Sequence, residues 1–298
     1  TATNGDTTFD AVVSPVVPGS VADKAQTAAV TDLNADSADV NETVTYTKVG
    51  SLVPSSSDGN FPGAPTVVYP NDPSDATKVT PAGVPTVPGY TAHNPEGHVL
   101  TPGSSYQPSD PTKDTTITYT ADKQKGSVSY VDDTTGTTLK TDSISGTTGS
   151  KSSYSTSGSI ADYKKQGYEL VTDGYPADLT FDNDDTTDQN FMVHLKHRLT
   201  PVNPTDPQTP GTPINPDEPD GPKWPTSTNY DKTVNETISY VDQNGHVVAK
   251  QHTDSVNFTR TVVVDNVTGE VITSGAGTTA WTATNGDTTF DAVVSPVV

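Results

Sequence analysis

The 298-residue sequence contains no cysteine, one methionine, two tryptophans, two arginines and eight leucines. Without cysteine there is no disulfide, no thiolate zinc site and no cysteine nucleophile. Lys and Arg number 16 against 37 Asp and Glu, a net charge of −21. That balance excludes a nucleic-acid binder, which needs clustered positive charge for the phosphates. No apolar run approaches the roughly 20 residues of a membrane-spanning helix, so no membrane insertion is expected, and no signal-peptide pattern opens the chain. The shortage of Leu and Arg argues against a helical fold, while 51 Thr and 35 Val favour strands. Leu, Ile, Val and Phe fall below the share of about 20% that marks disorder in highly charged chains. They stand in alternating runs, however, which is the pattern of half-buried strands. Ordered β modules are therefore expected.

Residues 1–17 and 282–298 are the same seventeen letters, TATNGDTTFDAVVSPVV. Such identity marks a tandem array. The chain is expected to begin and end inside copies of one unit, the first copy without its front half and the last without its back half. A weaker echo lies inside. Val17-Pro18-Gly19 and Val87-Pro88-Gly89 each open a segment that closes on an alternating strand, Thr43–Thr47 in one and Thr116–Thr120 in the other. Ser20 follows the first glycine where Tyr90 follows the second. Two further strands, SVSYV at 127–131 and TISYV at 237–241, both run into an Asp and Gly cluster, which predicts hairpins.

One helix is expected, with N-cap hydroxyls in Ser157-Gly158-Ser159, an apolar face of Ile160 and Tyr163, and Gly167 at C′. Strands near 127–131, 138–144, 168–172 and 191–196 surround it. The resulting ββαββ order suits a β-grasp domain over 124–198. Over 199–226, prolines recur at every third position from Pro201 to Pro225. Three residues per turn would stack all the rings on one edge of a polyproline II helix, predicting a semi-rigid strut.

Candidate sites are few. Asp182, Asp184 and Asp188 stand in an acidic run whose alternate carboxylates could ligate Ca²⁺, although the closing Glu and the loop Gly of an EF-hand are missing. A solvated acidic turn is the competing reading. His194 and His197 point to opposite faces of a strand and cannot share a metal, and His93 and His98 lie in a Pro/Gly loop. All six histidines are read as exposed polar residues. Tyr69, Tyr90, Tyr106, Tyr175 and Trp224 could offer rings to a sugar, or pack locally. No nucleophile elbow or metalloprotease helix occurs, so no enzyme and no cofactor beyond that Ca²⁺ are expected.

Several stretches resemble the mucus-binding repeats of cell-wall-anchored adhesins from lactobacilli and related Gram-positive bacteria. They are VNETISYVDQNGHVV, NFTRTVVVDNVTGEV and TTFDAVVSPVV toward the end, DVNETVTYTKVG near the start, and GSVSYVDDTTGTTLKTDSISGTTG with TFDNDDTTDQNFMVHLKH between. The resemblance implies β-grasp-like (ubiquitin-like) modules, cell-surface display, and adhesion to host mucin glycans, with immunoglobulins as alternative partners. It divides the chain into the back half of a mucin-binding domain (1–50), a Pro/Gly-rich β linker module (51–123), a MucBP-type domain (124–198), the proline linker (199–226) and the front part of the next mucin-binding domain (227–298). The expected whole is mainly β with minor α: a monomeric rod of small beads that binds through many weak contacts or, as the alternative, a non-binding stalk that presents a distal tip.

Overall fold

The structure is a computed structural model that describes all 298 residues. It is mainly β, with a single α-helix. No helix is long and apolar enough to cross a membrane. Two compact units emerge. One comprises residues 1–126, 143–153 and 178–189, the other residues 127–142, 154–177 and 190–298.

In the first unit a five-stranded sheet runs in the order Val67–Val68, Ser51–Ser55, Thr115–Ala121, Tyr90–His93, Val99–Leu100. Ser51–Ser55 and Thr115–Ala121 pair in parallel, the others antiparallel. Alternation along Thr115–Ala121 sends Ile117 and Tyr119 into a core with Leu52, Tyr69 and Ala82. Residues 51–123, expected as a Pro/Gly-rich β linker module, carry this sheet and share its core with Val21 and Val49. Their prolines sit mostly in the connections, where a missing N–H costs no ladder bond. The internal echo is real in the backbone. Gly19 and Gly89 both adopt positive φ, at 81° and 78°. In each case the strand that follows pairs antiparallel with the closing strand: Ser20–Ala22 with Tyr46–Lys48, and Tyr90–His93 with Thr115–Ala121.

A four-stranded sheet takes the order Thr137–Thr147, Lys123–Asp132, Gln189–His197, Tyr168–Asp173, with the helix Ser157–Lys165 between its second and third strands in the chain. The two-strand, helix, two-strand succession is the expected one. Its N-cap is Thr156 and not Ser157 or Ser159, and no side chain caps it. Thr156 Oγ1 instead donates to Asp173. Ile160 is buried, and Tyr163 packs on Tyr130 and Tyr168. Lys164 and Lys165 complement the helix dipole in the last turn.

In the second unit two three-stranded sheets are seen. One has the order Leu199–Val202, Val262–Asp265, Val271–Ile272; the other Asp231–Val241, Val247–Thr259, Thr282–Ala283. The predicted hairpin at the 237–241 strand is present, with Gly245 at positive φ in its turn. Trp281, just before the third strand, is held by cation–π contacts with Lys232 and Arg260.

The proline segment overturns the expected strut. Leu199–Val202 is a strand paired with Val262–Asp265, Pro201 included. Further on, the chain reverses: Gly211 N–H donates to Trp224 O, Trp224 N–H to Thr212 O, and Ile214 N–H to Pro222 O. Two residues in three keep an N–H, which is enough to close this ribbon. The driving term is burial. Val202 and Ile214 join Tyr230, Val262 and Val264 in one core, with Trp224 against it. Burying an Ile side chain is worth about 1.5–3 kcal/mol, whereas polyproline II has no internal hydrogen bond to set against it. Residues 199–226 are accordingly part of the module that follows, not a spacer before it.

Candidate functional site

Two places in the molecule concentrate functional groups. The first is a pocket of about 280 Å³ in the first unit. The Val87-Pro88-Gly89 turn, the strands Tyr90–His93 and Val99–Leu100, and residues 101–102 form its walls. The positive φ of Gly89 lets the backbone turn where a Cβ would strike Asn183 and Thr148. Tyr90 lines the pocket, backed by Phe61, which is edge-on to Tyr90 and stacked on the buried Tyr119. The Tyr119 hydroxyl is spent on Pro85 O, while the Tyr90 hydroxyl oxygen is buried without a hydrogen-bond partner.

Two carboxyl groups line the same pocket, Asp122 and Asp185. Asp122 accepts from Thr91 Oγ1, and Asp185 from Gln124 Nε2 at 2.6 Å. Protonated Asp185 donates to the Asp122 carboxylate, and this bond, helped by burial, holds Asp185 above the usual carboxylate range. Apolar walls with acceptors at one edge are the chemistry that receives a sugar ring, its C–H face on the aromatic and proline surfaces and its hydroxyls on the carboxyls.

The second place is buried in the second unit. His197 lies between two aspartates, Nε2 at 2.6 Å from Asp132 and Nδ1 at 2.7 Å from Asp265, with all three side chains under one-tenth exposed. Strand alternation puts Val193, Leu195 and His197 on the buried face and His194 on the other. His194 pairs instead with Asp133. The expectation that all six histidines are exposed therefore fails at His197. Burial alone would lower its pKa; the bonds to Asp265 and Asp132 outweigh this and leave it raised. With acceptors on both ring nitrogens, the imidazolium is the form that satisfies both.

The two aspartates are presented by the same local device. In 132–136 and in 265–269 an Asp carbonyl accepts from the Gly four residues on, at 2.7 and 2.8 Å. One carboxylate oxygen of each accepts from the N–H two residues ahead, leaving the other for His197. This arrangement binds structure together and offers no open position for a substrate.

The remaining expected residues fall as follows. Asp182 Oδ1 accepts from Asp184 N–H, and Asp184 Oδ1 from Thr186 N–H and Oγ1, which lowers the Asp184 pKa. Asp188 is exposed. No three acidic or histidine side chains gather in a group that could hold a metal ion. From this acidic run it is Asp185 that reaches a partner carboxyl. Tyr69 is a core residue whose hydroxyl donates to Lys113 O. Tyr106 packs on the first core, Trp224 on the second, and Tyr175 against Tyr154 and Phe191. Of the five aromatic candidates Tyr90 alone lines the carboxyl-edged pocket.

A family model described as a mucin binding domain matches residues 124–197, and one described as a Muc B2-like domain matches residues 3–50 and 225–298. Among solved structures, that of Mub-RV is 35% identical over 59% of this chain and 82% of its own, with a TM-score of 0.43. The type 2 repeat of the mucus binding protein MUB from Lactobacillus reuteri is 33% identical over 59% and 83%, with a TM-score of 0.39. The kinship rests on the sequence, not on the superposition. No curated protein matches. By its two matched domain types and its identity to these repeats, the chain belongs to the family of MucBP/Mub-type mucus-binding repeats.

Proposed function

We propose that this chain is part of a bacterial surface adhesin that binds host mucin glycoproteins outside the cell. The observation that carries the reading is the occurrence of a mucin-binding domain flanked by two Muc B2-like segments in one chain. The pocket of Tyr90, Asp122 and Asp185 supports it by offering a sugar the two kinds of surface it needs.

Binding of this kind is short-range. Mucins bearing sialate or sulfate are polyanions, and a chain of net charge −21 repels them at a distance. A single shallow pocket holds one or two sugar rings weakly. Repetition raises the effective concentration, so that linked modules exceed each single affinity by about 10²–10⁴. The test is binding to immobilised mucin by this chain and by a tandem array of it, compared per module. The array is expected to bind far more strongly, and deglycosylating the mucin to abolish binding by both. Equal binding per module, or binding that survives deglycosylation, overturns the reading; the second result would instead indicate a protein partner such as immunoglobulin.

A further inference from the structure

The pocket of Tyr90, Asp122 and Asp185 has a chemical polarity that narrows what can enter it. Its volume of about 280 Å³ lies at the lower end of the range of about 300–1,000 Å³ for ligand sites, which suits a terminal ring and excludes a branched segment. Val84, Val87 and Ala92 stand among the lining residues with less than one-tenth of their surface exposed. Val99, 62% exposed, carries the apolar surface out to the rim.

The charge on the lining is of one sign. Asp122 and Asp185 line the cavity, and no Lys, Arg or His does. The side-chain donors beside them are already used. Thr91 Oγ1 donates to Asp122, and the Gln124 amide donates to Asp185 and to Thr148 Oγ1. A ligand for this cavity therefore needs hydroxyl donors on one side and carbon on the other. A carboxylate or sulfate ester meets negative charge with no cation to offset it. A hydroxymethyl group turned toward Val84 and Val87 buries an oxygen without a partner, whereas a methyl group gains from the same wall.

We propose, resting on the reading that this pocket receives a sugar of a mucin glycan, that its ligand is a terminal, uncharged 6-deoxyhexose. The methyl group lies against Val84, Val87 and Ala92, and ring hydroxyls donate to Asp122 and Asp185. Sugars bearing carboxylate or sulfate are turned away. The carboxyl pair makes binding depend on pH. Asp122, at the end of the strand Thr115–Ala121, and Asp184, in the same loop, are the charged groups acting on Asp185; Gln124 is its neutral neighbour. They keep Asp185 protonated above the usual carboxylate range. That proton must leave before both groups can accept from a sugar, so affinity rises with pH through this window and is complete at neutral pH.

The test is an NMR titration of the full chain with three sugars: L-fucose, L-galactose, which adds only a hydroxyl at C6, and L-fucose carrying a sulfate ester. L-Fucose is expected to shift the amides of residues 84–92 and to bind about tenfold more tightly than L-galactose. The sulfated sugar is expected not to bind. Thr101→Lys, at an exposed lining position, is expected to admit it. Asp185→Asn is expected to weaken L-fucose about tenfold and to remove the pH dependence. Equal affinity for L-fucose and L-galactose, or a sulfated sugar that binds as well as L-fucose, overturns the proposal. So does the absence of shifts in 84–92 with every sugar; if the chain then still binds intact but not deglycosylated mucin, the adhesin reading stands with its glycan site elsewhere. A chain that seats L-fucose in the pocket yet does not bind mucin removes the adhesin reading and leaves the selectivity of the pocket in place.

Discussion

In the second unit an imidazolium separates two buried carboxylates, Asp132 and Asp265, whereas at the pocket in the first unit Asp122 and Asp185 meet directly. In the first group a cation stands between the two carboxylates, and all three are sealed from water. The second is a like-charged pair at a partly exposed edge, held by Thr91 and Gln124. Buried ionic groups are costly when a partner is lost, because the remaining charge has nowhere to go. Exposed pairs are screened and weakly coupled. The same residue type therefore serves fastening in one place and leaves a surface open to hydrogen-bond donors in the other.

The strongest test of that contrast is His197→Ala. It strands two carboxylates under one-tenth exposed and is expected to cost about 3–5 kcal/mol in chemical denaturation. A loss no greater than that of an ordinary surface change would show that the bridge contributes nothing. Next comes pH. A raised His197 pKa means that its stabilisation is complete below the ordinary imidazole value of about 6.5 and is lost as pH rises through the folded-state value. Melting temperature should fall through mild alkali in the native chain, and that slope should vanish in His197→Ala. The smallest effect belongs to Asp185→Asn. Its raised pKa likewise gives stability in acid that is lost on the way to neutral pH, but over a window just above the ordinary carboxylate range. Removing the charge should stabilise the chain at neutral pH by less than about 1 kcal/mol and flatten the acid side of its pH profile. An unchanged profile would mean that the two carboxyls do not interact.

How much of this was legible depends on the range of each interaction. Hairpins announced by an Asp and Gly cluster, and the helix around Ile160 and Tyr163, are local and were readable from spacing. The proline segment was misread because a period of three is also local, while the core that captures Ile214 comes from Val262 and Val264, about fifty residues away. His197 was missed because its partners lie 65 and 68 residues off. A signal was present nonetheless: alternation through Val193 and Leu195 places it on the apolar face, where a histidine needs partners. The pocket had no such signal. Asp185 is one acid in a run, and only the fold sets it beside Asp122.

The reversed proline ribbon carries a mechanical consequence. Gly211 and Trp224 are adjacent because the fourteen residues from one to the other double back, held by a few backbone bonds and by Ile214. Pulled taut, those residues would extend as polyproline II at about 3.1 Å each, releasing on the order of 40 Å of slack. The ribbon therefore stores length that the burial of Ile214 keeps folded.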